Sequence, residues 1–174
     1  MSEPSIPPRP PRVAVVCEGD ARDPSAWSGT PHGVLRGLRA CGVDAVAVRG
    51  APTGRVSAAA RNMVALKDVR AAVRPGETWR SAVRRSLRVS PLTTGFGTVG
   101  TAYAAAGLRR SAPVDAVIQM GSSFVVRHPR VVTFEDMTIR QAVAFDQYQW
   151  RELGDLQLEA RLRRQRRIYG ELWP

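Results

Sequence analysis

Cysteine is nearly missing from this chain, with only Cys17 and Cys41 among 174 residues. One falls on an expected strand and the other on an apolar helix face, so both read as buried hydrophobes rather than a disulfide or metal pair. Histidine is as scarce, at two residues. No His/Cys cluster has metal-ligand spacing, and no Ser-His-Asp arrangement is supported by spacing. No run approaches the 18 apolar residues of a membrane span, and the leading MSEPSIPPRPPR has no apolar signal core. A cytoplasmic protein is expected, with peripheral contact to a membrane left open. Lysine occurs once against 25 arginines, a bias that GC-rich coding produces as readily as selection for phosphate contacts.

Aromatic residues are few, at 6% of the chain, although the formal net charge is +11. Between Arg70 and Arg110 stand eight arginines against the single acid Glu77, so this segment alone carries +7. It reads as a solvated helix face, as a surface for anionic lipid or acceptor phosphate, or as a nucleic-acid contact. Trp79, Phe96 and Tyr103 are its only aromatics, whereas single-strand binders interleave stacking residues with their cations. No specific nucleic acid is therefore expected.

A hydrophobic content of 44% and this length suit one folded domain. Residues 1–11 read as a disordered, proline-rich lead and 12–170 as the domain. Arg12–Cys17, Val43–Val48, Asp115–Met120 and Arg130–Phe134 are short apolar runs bounded by turn residues, as buried parallel strands are. Helical patterns lie between and after them: one from Thr30 to Cys41, then Val56–Val73, Thr78–Leu87, Thr98–Arg110, Thr138–Phe145 and Trp150–Tyr169. In the first of these, Thr30 is the expected N-cap and Pro31 the first helical residue. The alternation predicts a three-layer, Rossmann-like α/β domain with a mostly parallel sheet. Glu18, Gly121, Glu135 and Asp136 all follow strands, so they should share one rim, where a ligand crevice opens.

At that rim the Ser28-Gly29-Thr30 turn offers backbone N–H groups to a phosphate or a sugar hydroxyl, or is an ordinary turn with a cap. His32, just inside the helix, touches a ligand or is merely exposed. Gly121 and Ser122 form a substrate-lining turn. Asp136 is the candidate catalytic carboxylate, able to orient or deprotonate a hydroxyl or to stabilise developing positive charge. Its bland alternative is a cap for the helix starting near Thr138. Glu135 is a weaker candidate beside it. Gly95-Phe96-Gly97-Thr98-Val99-Gly100 matches G-x-G-x-x-G, but Pro91 interrupts the segment before it and Asp115 begins a strand instead of ending one, so dinucleotide binding is rejected. Glu152 and Glu159 read as surface ion-pairing residues.

The SGTP turn entering a helix, the VDAVIQMGS strand and the VVTFEDMT strand end together resemble the amino-terminal, acceptor-side half of a family 4 glycosyltransferase of the GT-B fold. The resemblance spans roughly Arg12 to Gly170, with those three islands distinctive. It implies transfer of a sugar from a nucleotide-sugar donor to an acceptor hydroxyl, with retention, and no cofactor beyond the nucleotide-sugar co-substrate. It implies Asp136 beside the reacting sugar, with Ser28, Gly29, Thr30, His32, Gly121, Ser122 and Glu135 around the substrates. Such enzymes hold the donor mainly in a second domain, so the chain is expected to be a truncated half, inactive alone. The rivals are a non-catalytic α/β binding module and, third, a basic nucleic-acid-binding protein.

Overall fold

Strands β1 (Arg12–Cys17), β2 (Asp44–Arg49), β3 (Ala116–Met120) and β4 (Val131–Phe134) form one sheet in the order β2-β1-β3-β4. Every pairing is parallel. The computed structural model describes residues 9–72, 75–146, 150 and 152–170. Of the expected proline-rich lead, residues 1–8 lie outside the described residues, as do 73 and 74, 147–149, 151 and 171–174.

Alternation along the central strand builds two cores. Ala14 and Val16 face one side with Val117, Phe124 and Ala104, while Val15 and Cys17 face the other with Leu35, Ala45 and Met120. The second side is covered by α1 (Thr30–Ala40) and the first by α4 (Thr94–Arg110). This is the expected three-layer α/β architecture. Each fully buried valine contributes on the order of 1.5–3 kcal/mol of transfer free energy, which is why such runs mark strands even without polar alternation.

The path after β2 is longer. Helices α2 (Gly54–Ala72) and α3 (Trp79–Val89) pack on each other before α4 returns to the sheet. Beyond β4 come α5 (Ile139–Ala144) and α6 (Asp155–Gly170). The last helix thus begins later than the expected Trp150, because Gly154 precedes it and Asp155 opens its first turn. Among the described residues no helix is long and apolar enough to cross a membrane.

The G-x-G-x-x-G run lies inside α4, which starts four residues earlier than expected, capped by Thr93 accepting from the Phe96 N–H. Its glycines are packing devices. A Cβ on Gly100 would stand 2.6 Å from the Gly50 carbonyl oxygen, and one on Gly107 would stand 2.7 Å from Val48. One on Gly97 would collide with the Ser123 carbonyl oxygen and Arg164. Asp115, the would-be ribose ligand, accepts from the Arg12 backbone N–H at 2.7 Å and anchors the start of β1.

Strands β3 and β4 are joined without a helix. Residues 121–130 cross the α4 side without regular secondary structure, with Phe124 fully buried and Val126 nearly so. Gln119, 1% exposed, holds that crossover through its side-chain amide. Its Nε2 donates to the Gly121 and Phe124 carbonyl oxygens at 2.8 and 3.0 Å, and its Oε1 accepts from the Val126 N–H at 2.9 Å. A buried amide so satisfied replaces the hydrogen bonds a helix would have given.

Two further expectations are corrected. Cys41 is exposed at the carboxyl end of α1, since the helix stops at Ala40 before the apolar register can bury it; Cys17 is buried, and burial pushes its thiol up to about 11. The Arg70–Arg110 segment is not one surface. Arg85 is buried against Glu77 at 2.7 Å, Arg88 pairs with Glu152 at 3.1 Å, and Arg80 and Arg84 are exposed on α3. Arg109 and Arg110 are exposed at the far end of α4, and Arg74 lies outside the described residues.

Candidate functional site

From β1 the chain runs through α1 to β2 on one side, then returns through α2–α4 to β3 on the other. The carboxyl ends of β1 and β3 therefore flank the topological switch point, where the helices on the two sides diverge and leave a crevice. A cleft of about 380 Å³ opens there. Glu18, Trp27, Ser28 and Thr30 form one wall, and Gly121, Ser122 and Ser123 lie at the end of β3. Phe134, Glu135, Asp136 and Met137 form the opposite wall, closed off by Ile139, Trp150 and Arg161. Most of the rim residues expected from the sequence meet in this cleft.

The first wall is conformationally unusual. Trp27 and Ser28 have φ of 49° and 53°, and Gly29 follows at 86°, so three consecutive residues are left-handed. For a residue with a Cβ this costs on the order of 1 kcal/mol or more, and such strain persists only where neighbours impose it. Here Trp27 lies over Gly121, itself at φ 88°, where a Cβ would come within 2.8 Å of the indole. Farther back, Asp20 receives Arg22 at 2.8 Å and Arg49 at 2.8 Å. The hydrogen bonds from Arg22, first of all, hold its carboxyl well below the usual carboxylate range.

Three details differ from expectation in this wall. The N-cap of α1 is the left-handed Gly29, and Thr30 is already helical because the turn is completed one residue earlier. Gly29 shapes the turn without lining the cleft. His32 does not line the cleft either; its Nδ1 lies 3.2 Å from the Arg22 carbonyl oxygen.

On the opposite wall the two neighbouring carboxylates have different fates. Glu135 is a saturated acceptor: Ser122 Oγ donates to its Oε1 at 2.6 Å, and Gln165 Nε2 to its Oε2 at 2.9 Å. The Tyr169 hydroxyl also donates to Oε2. Burial first, and then the hydrogen bond to Glu135, push the Tyr169 pKa upward. Glu135 therefore fixes Ser122 and the end of α6. Asp136 is exposed, lines the cleft, and accepts no hydrogen bond among the described residues. It does not cap α5. Thr138 does, with its hydroxyl accepting from the Gln141 N–H while Gln141 Oε1 accepts from the Thr138 N–H.

Sequence reasoning missed α6 as a contributor. Arg161, Gln165 and Ile168 are buried on one face of that helix. Arg161 donates from Nη1 to the Ser122 and Ser123 carbonyl oxygens, and Arg164 donates to Ser123 O at 3.0 Å and Thr98 Oγ1 at 3.0 Å. Burial lowers the Arg161 pKa to about 10. The visible signal was register: Arg161 and Gln165 stand on the i, i+4, i+7 line that ends in Ile168, beside Leu158 and Leu162, and polar residues on an apolar line are buried partners. Glu159 instead pairs with Arg166 at 3.9 Å, on the exposed side.

Fold and cleft define a parallel α/β domain with a crevice at its switch point. Comparison with known proteins adds no family to that class: no family model matches the chain, and neither does any curated protein or solved structure.

Proposed function

We propose that the crevice is a carbohydrate site and that the chain serves sugar transfer from a nucleotide-sugar to an acceptor hydroxyl. The observation that carries this reading is the meeting of Ser28, Thr30, Gly121, Ser122, Glu135 and Asp136 around one cleft, where hydroxyls, backbone groups and a free carboxylate lie beside Trp27 and Phe134. Such a lining suits a polyhydroxylated ligand, whose hydroxyls need directional partners and whose ring faces pack on aromatic carbon. Asp136 is the proton acceptor or charge stabiliser in this reading, and Glu135 positions Ser122. The test is a titration of the ¹⁵N-labelled chain with a panel of nucleotide-sugars. Amide shifts concentrated at Ser28–Thr30 and Gly121–Ser123 are expected; a panel that moves none of them refutes the site. A module that binds without chemistry would give the same shifts with no sugar transfer in any assay.

Contact with an anionic membrane belongs to the α2–α3 pair rather than to the whole basic segment. Met63, Leu66 and Trp79 are more than half exposed there and Leu87 is over a third exposed, next to exposed Arg61, Lys67, Arg80 and Arg84. Apolar side chains rimmed by cations fit the boundary of an anionic bilayer.

A further inference from the structure

The two edges of the sheet are finished differently. On β2 the Ala45 carbonyl oxygen accepts from Arg39 Nε at 3.0 Å and the Ala45 N–H donates to the Val43 carbonyl oxygen at 2.9 Å, so neither group is left for another strand. A long cation laid on an edge in this way blocks further pairing. On β4 the carbonyl oxygens of Arg130 and Phe134 accept from the Val117 and Gly121 N–H groups at 2.9 and 2.8 Å, so the even-numbered residues turn their backbone toward β3. Val131 and Thr133 turn theirs outward, where nothing among the described residues bonds to them.

The side chains alternate as sharply. Val131 and Thr133 are half-buried, whereas Arg130, Val132, Phe134 and Asp136 are exposed, Val132 at 65%. Val132 and Phe134 register beside Ile118 and Met120, on the side of the sheet that α1 covers farther along. Arg130 and Asp136, just outside the two ends of the strand, have no ion pair among the described residues; Asp115, near Arg130, is taken by Arg9.

An open backbone, two bare apolar side chains and ends of opposite charge fit one occupant, a second copy of the same strand. Antiparallel pairing about a two-fold axis joins outward-facing residues to outward-facing residues, which leaves few registers. With Thr133 opposite Thr133 of the partner subunit, each Arg130 meets Asp136 of the partner subunit, and each Val132 meets Phe134 of the partner subunit, a favourable β-branched and aromatic pair. One step in either direction would instead set Arg130 against Phe134, or Asp136 against Val132.

We propose that β4 pairs antiparallel with β4 of a second copy in this register. Arg130 of the partner subunit then stands beside Asp136, which lines the cleft, so each copy supplies a cation to the other's site. Because β2 is blunted, each chain has one open edge and association closes at the dimer. The pairing does not rest on the carbohydrate reading.

Sedimentation equilibrium of the full chain over a range of concentrations tests it. The interface is small, so a reversible dimer at high micromolar concentration is expected. Val132→Lys should remain monomeric over the same range. Arg130→Glu and Asp136→Arg each turn two symmetry-related attractions into repulsions and should weaken the dimer about tenfold or more, whereas an equimolar mixture of the two variants should recover it. In the native chain, amide exchange at Val131 and Thr133 should slow as concentration rises, a measurement that decides the matter if a variant does not fold. A native chain that stays monomeric, or a dimer that tolerates Val132→Lys, overturns the proposal. So does a mixture that fails to recover the dimer, because the register is then wrong. Protection of Val131 and Thr133 already present in dilute protein would also overturn it, by showing the edge covered within one chain.

Discussion

Replacing glycine by alanine at two helical positions should give stability changes of opposite sign. In the interior of a helix alanine is favoured over glycine by about 0.8–1 kcal/mol. At Gly37 in α1 nothing lies within 4 Å of the added Cβ, so Gly37→Ala should realise most of that gain. At Gly100 in α4 the same Cβ would sit 2.6 Å from the Gly50 carbonyl oxygen and 3.2 Å from the Cβ of Phe124. Neither is the mobile end of a side chain, so the helix must move off the sheet. Overpacking of this kind costs about 1–3 kcal/mol, which exceeds the helical gain through most of its range and leaves a net loss of up to about 2 kcal/mol. Urea denaturation of both variants measures the two values, and melting temperatures should move by about 2–4 °C per kcal/mol for a chain of this size. Stabilisation by Gly100→Ala equal to that of Gly37→Ala would falsify the close packing of α4, and with it the explanation of the G-x-G-x-x-G run as a packing surface.

Thr138→Ala should cost about 1 kcal/mol through loss of the cap, whereas Asp136→Ala should stay within about 0.5 kcal/mol because Asp136 holds no cap; thermal melts compare them. In any assay that detects sugar transfer, Asp136→Asn should lower the rate about 10²-fold or more, and an unchanged rate removes Asp136 from the chemistry. A chromogenic disulfide reagent at pH 8 should titrate one thiol rapidly, the exposed Cys41, and reach Cys17 only in denaturant. Because the Cys17 pKa is raised on folding from 9.0 to about 11, its contribution to stability is intact below pH 9 and is lost as pH rises toward 11; denaturation midpoints of native protein and Cys17→Ala should converge over that interval. Trp79 emission should shift to the blue with anionic vesicles at low salt but not with neutral ones, and the double change Arg80→Glu, Arg84→Glu should abolish the shift; equal response to both vesicle types would leave the cations without a role.

The strands were legible because buried parallel strands leave short β-branched runs between turn residues. Arg12–Cys17 is found as expected, the second strand is shifted by one residue at both ends, and the third and fourth each start one residue later. The shared rim followed from topology alone, since residues after parallel strands emerge on the same side. Contacts made across helices were less legible. Glycines at 97, 100 and 107 look like a loop fingerprint until the partner surface is known, and Arg161 looks like one more surface arginine until the helix is rotated to its buried face. The left-handed Trp27 and Ser28 had no local signal at all. The Trp27 indole lies over Gly121, nearly a hundred positions away in the chain, where any Cβ would collide with it.

The Gln119 clamp makes the cleft a dependent of one uncharged side chain in the core. Its two carbonyl partners, Gly121 and Phe124, bracket Ser122 and Ser123, the very residues whose oxygens receive Arg161. Opening of the amide would release Phe124 from the interior and move those oxygens in the same event, so loosening of the core and loss of that wall of the cleft form one cooperative unit. Ligand bound at the wall should therefore slow hydrogen exchange at Val126, whose N–H is bonded to that same amide.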